Sequence, residues 1–202
     1  MPTTEEQGTA RRRTGADTRR EAQRVALDLF TRQGYESTSL RQIADALGIN
    51  KASLYYHFPS KEAILRSLVA ERGSEAERLL DWLDAQPVAP RLLEDAVLRW
   101  VDSFSAEKLA GIRFLQANPL IVRVLDPEGA ERIGSPLARI ADRLATLVPA
   151  SPERVLLVRM AILGINAAVE AAAGTDLDDA DVVAAARSAA RALVAEAQRP
   201  EA

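Results

Sequence analysis

An all-α fold is expected for this chain, with an N-terminal three-helix helix-turn-helix domain and a larger C-terminal helical domain. Three observations point there. Apolar residues recur at helical spacing almost throughout, and no strand-period alternation of useful length interrupts them. Glycine and proline fall in short clusters between those segments, where they end helices. Hydrophobic residues make up 48% of the 202 residues, enough for packed cores, and cysteine is absent, so no disulfide or thiolate site can replace packing.

Residues 1–16 are polar and include Arg11, Arg12 and Arg13; they read as a disordered basic arm. Ala22, Val25, Ala26, Leu29 and Phe30 then form the apolar stripe of a first helix, ended by Gly34. Ser39 with Gln42 three residues on is a capping box for a short second helix, whose inner face is Leu40, Ile43, Ala44 and Leu47. Gly48 stops it, and Asn50 caps a third helix from Lys51 to Phe58. After Pro59, Ser60 caps a longer fourth helix running to about Leu83. Beyond the Pro87 to Pro90 break, helices are expected near 91–105, 106–117, 129–147, 152–173 and 179–197, with Pro136 kinking or restarting the third of these. The organisation expected is therefore an arm (1–16), a helix-turn-helix domain (17–65) and a helical domain (66–202).

The formal net charge of −3 hides an asymmetry. Residues 1–61 hold 10 Lys/Arg against 7 Asp/Glu, while the remainder holds 16 against 22. One end suits a polyanion and the other does not. Residues 1–24 have no apolar stretch of the signal-peptide kind, and the longest apolar run, Val155 to Val169, is broken by Arg159 and Asn166. No membrane association is expected, and a cytoplasmic location is.

The informative stretch runs from Ser39 to Phe58. Two short helices meet at Gly48, a residue that accepts positive φ, and Ala44 is small enough for close helix approach. With Ile49, Leu54 and Phe58 turned inward, Lys51, Ala52, Ser53, Tyr55 and His57 are left on the outer face, Tyr56 being expected partly buried. That is the arrangement of a recognition helix entering a major groove. Lys51 and Ser53 suit base acceptors or phosphate, and Ala52 suits a thymine methyl. Tyr55 and His57 can donate to phosphate oxygens, while Arg41 with the Thr38 and Ser39 hydroxyls can hold the opposite backbone. Lys61 is badly placed for the dipole of the fourth helix, and a phosphate partner would account for it.

The segment from about residue 18 to 65, including ALDLFTRQGYESTSLRQIADALGINKASLYYHFPSKEAIL, resembles the TetR/AcrR family of transcriptional regulators. The Gly-Tyr, Ile-Ala, Leu-Gly-Ile and Leu-Tyr-Tyr-His-Phe-x-Ser-Lys-Glu signatures stand in the family's order and spacing. The resemblance implies a three-helix DNA-binding domain, a helical ligand-binding and dimerisation domain, and a repressor released from a palindromic operator by its ligand. Family DNA contacts fall on Arg41, Lys51, Ala52, Ser53, Tyr55, His57 and Lys61.

Elsewhere the residues offer less chemistry. His57 is the single histidine, and no nucleophile–base pair, phosphate-binding glycine loop or dinucleotide fingerprint accompanies it, so neither an enzyme nor a cofactor is expected. Asp176, Asp178, Asp179 and Asp181 invite a calcium reading. It fails because Asp181 stands where an EF-hand needs glycine and Arg187 where it needs glutamate; capping of the last helix is the better account. Trp100, Phe104, Phe114, Met160 and Asn166 are the candidate ligand-pocket residues, for a mainly apolar effector. Ala161, Gly164, Ala167, Ala168 and Ala171, with Val183, Ala186, Ala190, Leu193 and Val194, suggest a homodimer through the last two helices.

Overall fold

The computed structural model describes residues 14–121 and 130–200, and every regular element among them is helical. The chain divides into two compact units, Met1–Ile64 and Leu65–Ala202. The first holds α1 (Gly15–Gln33), α2 (Leu40–Leu47), α3 (Lys51–His57) and the opening residues of α4 (Lys61–Asp84). The second holds the rest of α4, then α5 (Leu92–Asp102), α6 (Ala106–Ala117), α7 (Ala130–Ala145), α8 (Pro152–Ala171) and α9 (Asp179–Ala197).

Local chemistry sets the ends of the first helices. The Thr14 hydroxyl accepts from the Asp17 amide at 3.1 Å, and the Asp17 carboxylate accepts in return from the Thr14 amide at 3.1 Å. This reciprocal cap starts α1 at Gly15, so Gly15 and Ala16 are helical rather than part of the expected arm. Arg11 to Arg13 lie outside the described residues. The same device, Ser39 with Gln42, starts α2. At the other end of α2, Gly48 takes φ 67°, ψ 27°. Its amide bonds the Asp45 carbonyl and that of Ile49 bonds Ala44, each at 3.1 Å. The pair forms a Schellman turn that satisfies two carbonyls the helix itself leaves open. Asn50 follows at once as the cap of α3, its side chain accepting from the Ser53 amide at 2.7 Å.

The core of the first unit is Ala22, Val25, Ala26, Phe30, Ile43, Ala44, Leu47, Leu54, Phe58 and Ile64, with Tyr35 edge-on to Phe30 at 5.0 Å. The buried face of α1 is wider than a single stripe: Gln23 and Leu27 are also buried, whereas Leu29 is only half-buried.

In the second unit, α5 ends three residues short of the expected 105. Ser103 and Phe104 turn back to the carbonyls of Trp100 and Val101, and the Ser103 hydroxyl also donates to the Trp100 carbonyl at 2.7 Å. Pro136 does not restart α7, which continues through it. Helices α8 and α9 are antiparallel, since Arg154 near the start of α8 donates to the Ala197 carbonyl at the end of α9 at 3.2 Å. They close on each other through Ala161, Ile165, Val169, Val182, Ala186, Ala190 and Val194, all buried. Asp178 caps α9 by accepting from the Asp181 amide at 2.9 Å, and Asp179 pairs with Arg113 at 2.6 Å. These aspartates are thus engaged by backbone and arginine. Among the described residues no helix is long and apolar enough to cross a membrane.

Gly48 has open space where a Cβ would stand, so alanine there meets backbone strain alone. Gly48→Ala is expected to lower stability by about 1 kcal/mol in urea denaturation followed by circular dichroism. Gly111, with equally open space inside α6, is the control, because alanine there should be neutral or stabilising.

Candidate nucleic-acid interface

The exposed side of α3 is defined by what the other side buries. Leu54 and Phe58, one turn apart, are 0% and 1% exposed and pin the helix to the rest of its unit. Lys51, Ala52, Tyr55 and Tyr56 are exposed, and Ser53 and His57 are half-buried. The Lys51 ammonium lies 5.2 Å from the centre of the Tyr55 ring, a loose cation–π contact that leaves its donors open. The expectation for Tyr56 is corrected: it is 86% exposed, more than Tyr55 at 43%. At 100° per residue, Tyr56 stands about 200° round the helix from Leu54, nearly opposite the anchor. It is the residue of this face that sequence reasoning missed, and helical geometry applied to Leu54 and Phe58 would have found it.

Other candidates divide into exposed and committed groups. Arg41 projects from the first turn of α2 with its side chain 80% exposed and a 3.8 Å contact to Asp45. Ser39 is exposed, but its hydroxyl serves the α2 cap. Thr38 does not face outward. It is 2% exposed, its hydroxyl donating to the Gly34 carbonyl at 2.8 Å and accepting from Gln33 at 3.1 Å, contrary to the expectation that it holds a DNA backbone.

Lys61 is likewise accounted for without a phosphate. Its ammonium donates to the Tyr35 carbonyl at 2.8 Å, lies 4.2 Å from the Tyr35 ring centre and sits 3.5 Å from Glu36. Its neighbour Glu62 accepts from the Tyr35 hydroxyl at 2.8 Å. Burial works to raise the Glu62 carboxyl, but hydrogen bonds from Ser60, the backbone and Tyr35, with the charge of Lys61, hold it below the usual glutamate range. Tyr35 therefore fastens the start of α4 from two sides.

Arg19 on α1 has a positioning role that the sequence did not disclose. Its guanidinium donates to the His57 carbonyl at 3.1 Å and lies 4.3 Å from the Phe58 ring centre. It satisfies a carbonyl at the C-terminal end of α3, where a cation also suits the helix dipole. His57 accordingly belongs partly to this junction: a Cβ on Gly15 would lie 3.6 Å from its ring, and its ring meets that of Tyr56 edge-on at 5.3 Å.

The ligand-pocket candidates lie in the second unit. Trp100, Phe104 and Phe114 are buried. The Trp100 indole N–H donates to the Ile162 carbonyl at 3.1 Å, and its ring meets Phe104 edge-on at 5.4 Å. Asn166 is half-buried, with its carbonyl accepting from Gln116 at 3.1 Å. Met160 is 47% exposed and lies on the outer side of α8 with Leu156 and Leu163.

Two short capped helices joined through Gly48, the second showing a polar and aromatic face, define a helix-turn-helix unit followed in this chain by a second, all-helical one. Residues 24–68 match the family described as bacterial regulatory proteins, tetR family. Over 44 residues, 22% of this chain and 24% of the relative, there is 50% identity to IcaR of Staphylococcus aureus (strain Newman), the HTH-type negative transcriptional regulator of the biofilm operon icaADBC. Over 45 residues, 22% of this chain and 16% of the relative, there is 50% identity to the uncharacterized HTH-type transcriptional regulator YuxN of Bacillus subtilis (strain 168). These matches span less than a quarter of each relative's length. The fold is similar over much more of the chain. A TerR/AcrR-family regulator from Aquifex aeolicus VF5 superposes with TM-score 0.63 at 16% identity, over 87% of this chain and 99% of the other. A TetR-family regulator from Agrobacterium tumefaciens superposes with TM-score 0.60 at 18% identity, over 92% and 100%. Residues 24–68 are thus similar to the tetR family of regulators, and the fold of the whole chain is similar to that of TetR/AcrR-family proteins.

Tyr35→Phe keeps the ring against Phe30 and Lys61 but removes the hydroxyl from Glu62. It should cost about 1 kcal/mol at neutral pH, where Glu62 is ionised. A carboxyl held below its usual range stabilises the fold above that range, and this is lost as pH falls through the lowered value. The difference between wild type and variant should therefore close in acid. Denaturation midpoints taken from about pH 7 down to about pH 3 check this, and a difference independent of pH would assign Tyr35 another role.

Proposed function

We propose that the chain is a transcriptional repressor that binds operator DNA through α3 and is released from it by a small-molecule effector bound in the second unit. The observation that carries this reading is the exposed face of α3. Lys51, Ala52, Tyr55 and Tyr56 project from a helix whose opposite side is locked by Leu54 and Phe58 and whose ends are held by Asn50 and Arg19. Such a helix can enter a major groove without being remodelled. Lys51 in the first turn serves base acceptors, Ala52 allows close approach, and the two tyrosine hydroxyls and Arg41 serve phosphates. Half-buried Ser53 and His57 stand at the margins of this face. The repressing sign is supported by the 50% identity of this unit to a negative regulator.

Homodimerisation through the last two helices is part of the proposal, with its residues revised. Ala161, Ala186, Ala190 and Val194 are buried within the chain, so they cannot also meet a partner. What remains exposed on α8 is Leu156, Met160 and Leu163, spaced four and three residues apart on one face at 57%, 47% and 49% exposure. On α9 the exposed positions include Ala184, Ala185, Ala189, Ala192 and Ala195, small side chains interspersed with the exposed Arg191. Three large apolar side chains in line on one helix face support an interface, and a second copy would give the symmetric pair of reading helices that a palindromic site requires.

Two experiments test these points. Selection of bound sequences from a random duplex pool should return an inverted repeat, and Lys51→Ala should then lose about tenfold in discrimination between that site and scrambled DNA. Tyr55→Phe should weaken both more evenly. Failure of the purified protein to bind any duplex at low salt would end the reading. Separately, Met160→Glu should convert a dimer to a monomer in sedimentation velocity while leaving the helical spectrum unchanged. A dimer that survives this substitution together with Leu163→Glu would place the interface elsewhere.

A further inference from the structure

Arg72 on α4 is the one described residue with a side-chain polar atom cut off from solvent and without a hydrogen-bond partner. Its guanidinium carbon lies 4.3 Å from the centre of the Phe104 ring and 5.6 Å from that of Trp100, so the cation rests on two buried aromatics. No carboxylate is paired with it among the described residues. Glu75, one turn on, is the nearest source of opposite charge, but its Oε1 is taken by the Lys108 ammonium at 2.7 Å. Lys108 also donates to the Ser103 carbonyl, which fixes that pair in place. Burial lowers the Arg72 pKa and Glu75 offsets this only in part; it is the Nη1 end of the guanidinium that the folded chain leaves without a partner. An unmet buried donor is destabilising, the more so when it is charged.

We propose that Arg72 is the anchor of the effector site, and that the effector is a monocarboxylic acid with an apolar body lying against Phe104 and Trp100. This rests on the ligand-released reading above and names the ligand class for it. A guanidinium stacked on aromatic rings does not use its N–H groups on them; Nη1 here is without a partner, and the N–H edge of a guanidinium matches the two oxygens of a carboxylate. The local charge sets the valence. Arg72 and Lys108 with Glu75 leave a single positive charge, which a monoanion neutralises, whereas a phosphate dianion would face the nearby Glu75 carboxylate with excess charge. Trp100 and Phe104, both expected from sequence to meet a mainly apolar ligand, supply the walls, and Arg72 supplies the polar end.

The test uses the full-length protein and acid–amide pairs: 4-phenylbutyrate, decanoate and indole-3-acetate, each beside its primary amide. In thermal-shift and calorimetric titrations at least one acid should bind and raise Tm, with its amide weaker by about tenfold or more. Arg72→Met should remove the preference for the acid and, without ligand, should match or exceed the wild-type Tm, because it deletes a buried donor that has no partner. Arg72→Lys should restore charge without the two-pronged geometry and recover only part of the acid binding. Equal binding of acids and amides, no binding of any acid, or a Tm of Arg72→Met several degrees below wild type would each overturn the proposal. Binding to the selected operator is measured in parallel: if Arg72→Met still binds it and no acid releases the wild type, the anchor is wrong while the DNA-binding reading stands.

Discussion

The three-residue step from Gly48 to Asn50 governs everything the first unit can do. Within it the chain ends one helix, reverses local handedness and caps the next, and each operation uses a different residue. Gly48 supplies positive φ, the Ile49 amide closes the carbonyl of Ala44, and the Asn50 side chain receives the amide of Ser53. With no slack between α2 and α3, the rotation of α3 about its own axis is fixed by Leu54 and Phe58. A shift of one residue at Gly48 would turn α3 by about 100° and send Tyr55 where Leu54 now lies. The polar face is therefore a consequence of the turn as much as of the residues on it.

Cations in this unit show how a basic surface and a stable fold are reconciled. Arg19 and Lys61 both end on backbone carbonyls and both lie over an aromatic ring, Phe58 and Tyr35 respectively. They hold the helices that present the surface and are not part of it. Arg41 and Lys51, by contrast, make only long or face-on contacts and stay open to solvent. Net charge alone cannot separate these groups, since all four count equally in the sum.

That distinction marks the limit of what could be read from sequence. Caps, breaks and most helix spans were legible because they depend on residues within four positions of each other: Ser39 with Gln42, Asn50 with Ser53, Asp178 with Asp181. The outward placement of Lys51, Ala52 and Tyr55 followed from the same short range. Thr38 and Lys61 are expected from sequence to meet phosphate, but Gln33 and Gly34 engage the first and the carbonyl of Tyr35 the second, partners brought to them by the turn after α1. Arg72 was invisible for the same reason: nothing near it in sequence says that Phe104 and Trp100 will cover it. The family signature was concentrated in the first unit, so the chemistry of the second could be read only once its helices were packed.

Specificity gives a physical reason for linking the face of α3 to the apolar line on α8. A seven-residue helix offers few side chains to base edges, and each good contact discriminates by about 1–3 kcal/mol. Two or three such contacts leave one copy well short of what is needed against roughly a million or more competing sites. Doubling the reader roughly doubles the discrimination only if the two copies are held at a fixed spacing, and that requires an interface stable on its own. Leu156, Met160 and Leu163 are suited, on the dimer proposed above, to holding two chains together but carry no sequence information. On the proposed function, Lys51 and its neighbours would carry the information, and a polar face of that kind is not suited to holding a dimer. Placing the two tasks on different units lets each be chemically extreme. The charges follow this division: basic residues exceed acidic ones over the first 61 positions, and acidic residues exceed basic ones over the rest. On the proposed function, an acidic second unit would be repelled by phosphate and the basic first unit drawn to it, which would favour encounters through the first unit.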